Sequence, residues 1–284
     1  MYLHYFGLPE YPFELTPNTQ FLFLSKQYEE SLECLLYAIR ERKGFATLIG
    51  EIGTGKTTLC RELLSRLDDT VATSLLFNPL LDTKNLIKSI NRDFGCNTNR
   101  DDDLNDHIHE LNNFLLLLNQ NGKNAVVVID EAQNLSRESL EVIRMLSNLE
   151  TENQKLLQII LVGQPELDER LHSYELRQLN QRITIRCEFR ELNLPETKDY
   201  ILHRLSKANL KPGSLFFNQS AIKAIYKFSN GVPRLINMLG DRALLTAYVK
   251  SERVINKQIV KTALADLRFR KQRNRFFNLF IKKS

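Results

Sequence analysis

The sequence is short of the features that classify a chain at a glance. Its 284 residues include four cysteines, Cys34, Cys60, Cys96 and Cys187, widely spaced and without a C-x-x-C pair. That excludes a disulfide framework and a zinc knuckle and suits a reducing compartment. Apolar runs such as Phe114 to Leu118 and Ala125 to Ile129 stop at five residues, far short of the roughly 18 that a membrane-spanning helix needs. The opening residues carry no basic segment and are interrupted by Gly7, Pro9 and Pro12, so no secretory signal is read there. With only 11 glycines and 8 prolines against 43% hydrophobic and 26% charged residues, collagenous, low-complexity and largely disordered classes are excluded. A cytoplasmic globular chain is expected. His107 and His109 are two apart, on different faces of a helix, with no cysteine or carboxylate to complete a ligand set; both are expected to be solvated or partly packed.

Charge is present but unevenly spread. The formal net charge is +5, yet the seventeen residues from Arg268 to Ser284 hold seven of the 39 basic side chains and no acid. The preceding 267 residues therefore carry 32 basic against 34 acidic groups, a balance of −2. No strong electrostatic footprint for nucleic acid lies outside the tail, and a nucleic-acid partner is not expected.

The length is about twice that of a usual single domain, so two domains are expected. Through residue 190, short apolar runs alternate with stretches of helical period, the pattern of a parallel sheet covered by helices. Strands are expected at Phe45 to Ile49, Val71 to Phe77, Ala125 to Ile129, Leu156 to Val162 and Ile183 to Phe189. Helices are expected from Ser25 to about Arg42, Thr57 to Leu67 and Leu104 to Leu118, and around Val142 to Leu149. The four leucines at 115 to 118 read as a helix end buried under the sheet. From Leu194-Pro195 onward the pattern is helical only, with Pro195, Ser220, Pro233 and Asn256 opening successive helices. This divides the chain into an N-terminal segment 1–44, an α/β core 45–194, an all-α domain 195–267 and a basic tail 268–284.

Two segments carry chemistry. Gly50-Glu51-Ile52-Gly53-Thr54-Gly55-Lys56-Thr57 fits G-x-x-x-x-G-K-[ST] and is followed by Thr58 in the first turn of a helix. Its glycines let backbone N–H groups face phosphate oxygens, Lys56 supplies a point charge for the β- and γ-phosphates, and the Thr57 hydroxyl suits Mg²⁺. Val126-Val127-Val128-Ile129-Asp130-Glu131 is an apolar strand ending in two carboxylates, which belong at the open sheet edge where strand C-termini form ligand crevices. Asp130 is the expected Mg²⁺ partner and Glu131 the group that orients and polarises the attacking water. Together the two segments point to an ATPase. No N-K-x-D follows at a strand end, since Asn256-Lys257-Gln258-Ile259 lacks the aspartate, so ATP is favoured over GTP. Within this frame Gln164, directly after the strand ending at Val162-Gly163, is suited to a γ-phosphate or water. Arg177 and Arg182 precede the fifth strand, and Arg234 lies in the first turn of a helix whose dipole favours anions.

Asp130-Glu131-Ala132-Gln133-Asn134-Leu135, Gly163-Gln164-Pro165-Glu166-Leu167, Leu176 to Arg182 and Gly231-Val232-Pro233-Arg234-Leu235-Ile236-Asn237 stand, with the phosphate loop, in one order. Together with the opening Tyr5-Phe6-Gly7-Leu8, Pro12-Phe13, Pro17-Asn18 and Phe21-Leu22-Phe23, they resemble the AAA+ ATPases of the secretion-pathway protein A (ExeA-like) type over about residues 2 to 267. The resemblance implies a five-stranded αβα nucleotide-binding domain with a helical lid, an adenine pocket partly from the segment before the first strand, and assembly into a homo-oligomeric ring, a hexamer being one form. It also implies that Gln164 is sensor 1, Arg234 sensor 2, and Arg182, or else Arg177, the finger inserted into a neighbour's site. Asn78 matches a polar switch position, and Asn78-Pro79 is equally an ordinary turn signal.

Longer members continue into a transmembrane helix and a peptidoglycan-binding domain; this sequence resembles the short members associated with mannose-sensitive haemagglutinin-type pilus biogenesis. Type II secretion or pilus biogenesis, with an inner-membrane assembly protein as partner, is the implied setting. In the tail, Phe269, Phe276, Phe277 and Phe280 fall on one side of a basic helix, suited to peripheral contact with an anionic membrane; nucleic-acid contact and packing on the lid are the other readings. A DNA-associated AAA+ regulator of transposition shares the phosphate machinery and stands as the alternative function.

Overall fold

The computed structural model describes residues 1–16, 19–77, 82–96, 103–211 and 213–267. Pro17-Asn18, Asn78, Pro212 and the tail 268–284 lie outside the described residues, and with them the switch and membrane-contact expectations. The described residues divide into two compact units, one within residues 26–190 and one within residues 1–25 and 191–267.

In the first unit five strands, β1 (Phe45–Gly50), β2 (Val71–Leu76), β3 (Asn124–Ile129), β4 (Gln158–Gly163) and β5 (Ile183–Phe189), form one parallel sheet in the order β2-β3-β4-β1-β5. Their burial follows their place in the sheet. The central β3 and β4 are buried at every position, whereas the edge strand β5 alternates buried and open positions. Central strands covered on both faces need continuous apolar runs, and edge strands do not. The expected strands are all present, with β2 stopping at Leu76 and leaving Phe77 exposed.

Helices α2 (Lys26–Arg40), α3 (Lys56–Ser65), α4 (Thr83–Phe94), α5 (Leu104–Gln120), α6 (Arg137–Leu146), α7 (Pro165–Leu171) and α8 (Arg177–Asn180) belong to this unit. Helix α4 is not among the expected helices, although Asp82 caps it through Asn85 N and Gly95 closes it in the left-handed conformation. Pro165 opens α7, with Gln164 at the cap position before it. The four-leucine run corrects an expectation. Leu115 is buried, but Leu116 and Leu117 are 36% and 61% exposed. One face of α5 holds Leu111 and Leu115, and the next two positions turn away from it. His107 is also corrected: it is fully buried rather than solvated or partly packed, and neither ring nitrogen has a hydrogen-bond partner, while His109 is exposed. No cluster of three or more His, Cys, Asp or Glu suited to a metal occurs among the described residues.

The second unit contains α1 (Tyr2–Phe6), α9 (Leu194–Lys207), α10 (Gln219–Ser229), α11 (Pro233–Val249) and a helix over 257–267. It is not wholly helical: β6 (Phe216–Phe217) and β7 (Val254–Ile255) pair in parallel. Tyr2, Phe6, Leu8, Phe13 and Phe21 join Ile201, Leu239 and Leu244 in one core. Arg204 fastens this start of the chain, donating from Nε to Pro12 O at 2.5 Å and stacking over Phe21. Residues 1–25 are thus built into the helical unit, while α2 packs against the sheet. No helix among the described residues is long and apolar enough to cross a membrane.

Candidate functional site

Parallel pairing sets the C-terminal ends of the strands along one edge, and the strand order decides which ends are neighbours. β4 stands between β1 and β3, with Ile49 level with Gly163 and Ile129 level with Leu161. The phosphate loop after β1, Gln164 after β4 and Asp130-Glu131 after β3 are therefore adjacent, although they are far apart in sequence. Such an edge is where open α/β sheets form ligand crevices.

The loop depends on glycine at defined points. A Cβ on Gly50 would come within 2.4 Å of the Phe189 carbonyl oxygen, and Gly55 has φ 113°. Neither position accepts another residue without a backbone shift. The loop leads into α3, whose first N–H groups have no acceptor within the helix and face outward with its positive dipole end. Thr54 is buried and donates to Glu51 O at 2.8 Å, tightening the turn, while Glu51 and Ile52 are exposed. Lys56 is 5% exposed and donates from Nζ to Gly50 O at 2.7 Å and Glu51 O at 2.9 Å. An ammonium carries three donors, so one remains for an anion. Burial lowers the Lys56 pKa, and Glu131, Asp130 and Glu51 act in the opposite sense.

Thr57, the second residue of α3, donates its hydroxyl to Asp130 Oδ2 at 2.5 Å. Asp130 is almost wholly buried, and its other oxygen accepts Glu131 N–H at 3.0 Å. Burial raises the Asp130 pKa; the bonds from Thr57 and Glu131 N and the charge of Lys56 oppose the rise, while the charge of Glu131 adds to it. A hydroxyl and a carboxylate held together are hard oxygen donors, the set that fits Mg²⁺ beside phosphate oxygens. The residues present fit a Mg·nucleotide: a tight glycine turn, a helix N-terminus, a buried ammonium and this oxygen pair.

Glu131 has φ 54°, a left-handed conformation uncommon for a residue with a side chain. It is held there by Asn134 N–H, which donates to its carbonyl at 2.9 Å. The turn carries the carboxylate towards β4, where Oε2 accepts from Gln164 Nε2 at 2.9 Å and from Gln133 Nε2. Gln133 is a second neighbour of Glu131, one to which the sequence alone assigns no role. Its contact with Glu131 follows from the turn conformation, which residue types alone do not reveal.

The arginines are elsewhere. Arg182 immediately precedes β5, whose Ile183 is level with Phe45 at the start of β1. In its own chain Arg182 therefore stands at the opposite end of the sheet from the phosphate loop, about 20 Å away for strands of six residues. It donates to Arg144 O at 3.2 Å, Ser147 Oγ at 2.5 Å and Asn148 Oδ1, satisfying the C-terminal end of α6. Arg177 is exposed and stacks 4.1 Å over the ring of Tyr174, itself 78% exposed. Arg234 is exposed in the first turn of α11 in the helical unit.

A family model described as AAA domain matches residues 39–171, which implies nucleotide binding. General secretion pathway protein A of Aeromonas hydrophila is 38% identical over 261 residues, covering 91% of this chain. The chain spans about half of that relative, 47% of its length. Among solved structures, Cdc6p from Pyrobaculum aerophilum matches with a TM-score of 0.65 at 20% identity, over 88% of this chain and 71% of that one. The Thermotoga maritima RuvB Holliday junction branch migration motor matches with a TM-score of 0.56 at 20% identity, over 86% and 70%. At such identity these two speak for the fold alone. The sheet order, the phosphate loop and the long match to the secretion protein converge: the chain is an AAA-domain protein homologous to general secretion pathway protein A.

Proposed function

We propose that the chain binds and hydrolyses Mg·ATP, works as a homo-oligomer and assists assembly of an envelope machine of the type II secretion or pilus class from the cytoplasmic side. The observation that carries the hydrolytic part is the Glu131 carboxylate, held at the sheet edge between the Thr57–Asp130 pair and Gln164. Lys56 and the first N–H groups of α3 bind phosphate oxygens. Thr57 and Asp130 hold the metal, and bound Mg²⁺ supplies charge neutralisation on the phosphates. Glu131 orients and polarises the attacking water, and Gln164 fixes Glu131 on the β4 side. The secretion setting rests on the name and length of match of the Aeromonas relative.

The position of Arg182 at the end of the sheet away from its own phosphate loop, and the exposure of Arg177, support a finger acting in a neighbouring subunit's site, worth about 10³ to 10⁵ in rate for groups of this kind. The test is phosphate release by the purified full chain as a function of protein concentration. Turnover should require Mg²⁺ and Lys56 and rise more steeply than linearly with concentration. Mixing Arg182→Ala with Lys56→Ala chains should restore turnover that neither has alone; recovery only with Arg177→Ala makes that residue the finger. Absence of turnover at every concentration, with an assembly partner present, would replace this reading with an ATP-sensing module. Salt-dependent duplex binding that survives removal of residues 268–284 would favour the DNA-associated regulator.

A further inference from the structure

Gln133 is held more firmly than a turn residue needs to be. It is the middle residue of the short 3-10 turn Ala132–Asn134 after β3, and both polar ends of its side chain and its main-chain carbonyl have partners. Its side-chain Nε2 donates to Glu131 Oε2, its Oε1 accepts Gln164 N–H at 3.3 Å, and its main-chain carbonyl accepts from Arg170 Nη1. Arg170 also donates from Nη2 to Leu135 O at 2.9 Å, so one guanidinium on α7 grips the turn on either side of Asn134. The amide orientation is fixed by chemistry, because a carboxylate can only accept and a backbone N–H can only donate. Space is kept for it as well: a Cβ on Gly163 would lie 3.0 Å from Gln133 Oε1 and 2.6 Å from Leu167.

The geometry has one consequence for Glu131. Both amide donors, from Gln133 and from Gln164, fall on the same oxygen, Oε2. With Oε2 engaged twice, Oε1 is the oxygen left to face a water, and the rotation of the carboxylate about its last bond is set by the two amides. We infer that Gln133 is a positioning residue, which with Gln164 fixes the carboxylate of Glu131 so that Oε1 presents its lone pair to the attacking water, and that Arg170 and Gly163 exist to hold Gln133 in that pose. The inference deepens the hydrolytic role proposed for Glu131 and rests on it. It also accounts for the left-handed backbone of Glu131, which turns the carboxylate from the strand direction towards the two amides.

The test compares the full chain with its Gln133→Glu and Gln133→Leu variants. Gln133→Glu keeps the size and the acceptor for Gln164 N–H but removes the donor to Glu131; Gln133→Leu removes both. Each is expected to lower kcat for ATP at least ten-fold while KM, the affinity for a fluorescent ATP analogue and the thermal midpoint stay within about two-fold or a few degrees, since no phosphate or metal contact is touched. Adding Gln133→Leu to Glu131→Gln should lower turnover no further, because the residue acts through the carboxylate that is already gone. Full kcat in both single variants, in a chain whose turnover depends on Glu131, overturns the positioning role and leaves the hydrolytic reading intact. A fall in kcat accompanied by equal losses of affinity and thermal midpoint shows a merely structural residue and also overturns it. A wild-type chain without Glu131-dependent turnover overturns both readings together.

Discussion

The phosphate loop and the acidic end of β3 meet at the same sheet edge, but they are built differently. The loop is a backbone device: Gly50 has no room for a side chain against Phe189, Gly55 takes a conformation that favours glycine, and Lys56 closes the turn on the loop's own carbonyls. The acidic end is a side-chain device. Glu131 is held by Gln164 from β4 and by Gln133, which Arg170 of α7 braces in turn. The first is local in sequence and the second is assembled by the order of strands, so damage to them should appear in different measurements.

Lys56→Ala carries the largest expected effect on the loop side. Its ammonium is buried with acceptors on two loop carbonyls, and its loss should weaken ATP binding by at least about 100-fold, the equivalent of roughly 2.7 kcal/mol, in calorimetric or fluorescence titration. An unchanged affinity would break the comparison by removing the loop from recognition. Gly50→Ala comes next. The added methyl meets backbone rather than a yielding side chain, and the cost should be about 1 to 3 kcal/mol of stability, read in denaturant unfolding. On the acidic side Asp130→Asn should act in the opposite sense on the fold.

Burial holds the Asp130 pKa above its ordinary value of 3.8, so the folded chain binds that proton more tightly than the unfolded chain. Its contribution to stability is therefore fullest below the unfolded value and is lost as pH rises through the raised folded value. At neutral pH the charge opposes folding, and the asparagine variant should melt slightly higher while losing Mg²⁺-dependent turnover. A lower melting midpoint together with a flattened pH dependence would show that the Thr57 bond outweighs burial.

The same contrast explains what could be read before the fold was known. The loop is a contiguous pattern whose glycines, lysine and threonine each answer a local need, and the five strands announce themselves as apolar runs. β3 and β4 were legible for that reason, and so was the pair Asp130-Glu131. The neighbour relation between Gln164 and Glu131 follows once the two phosphate-site segments are taken as one frame, although nothing in composition tells that β4 lies between β1 and β3. Gln133 was visible as a letter and silent as a role: its contact depends on the positive φ of Glu131, two residues away. Helix α4 is a different case, because its signals were present. Asp82, the apolar Leu86, Ile87 and Ile90, and Gly95 mark its start, face and end. In the leucine run of α5, hydrophobicity suggested burial where helical phase dictates exposure, and Leu117 follows the phase. His107 shows the reverse, a polar ring carried into the core by its place on the same helix.

Arg182 serves its own subunit at the end of the sheet away from the phosphate loop. Its three acceptors at the end of α6 explain its presence within the subunit, and its position at the far end of the sheet keeps it from its own phosphate loop.

The central claim is that Glu131, and not the loop, governs turnover once nucleotide is bound. Single-turnover ATP hydrolysis and ATP affinity measured side by side in wild-type and Glu131→Gln chains test it most directly. Turnover is expected to fall at least about 100-fold, while affinity for Mg·ATP stays within about three-fold of wild type. Equal turnover in the two chains, or a parallel loss of affinity and rate, would contradict the account.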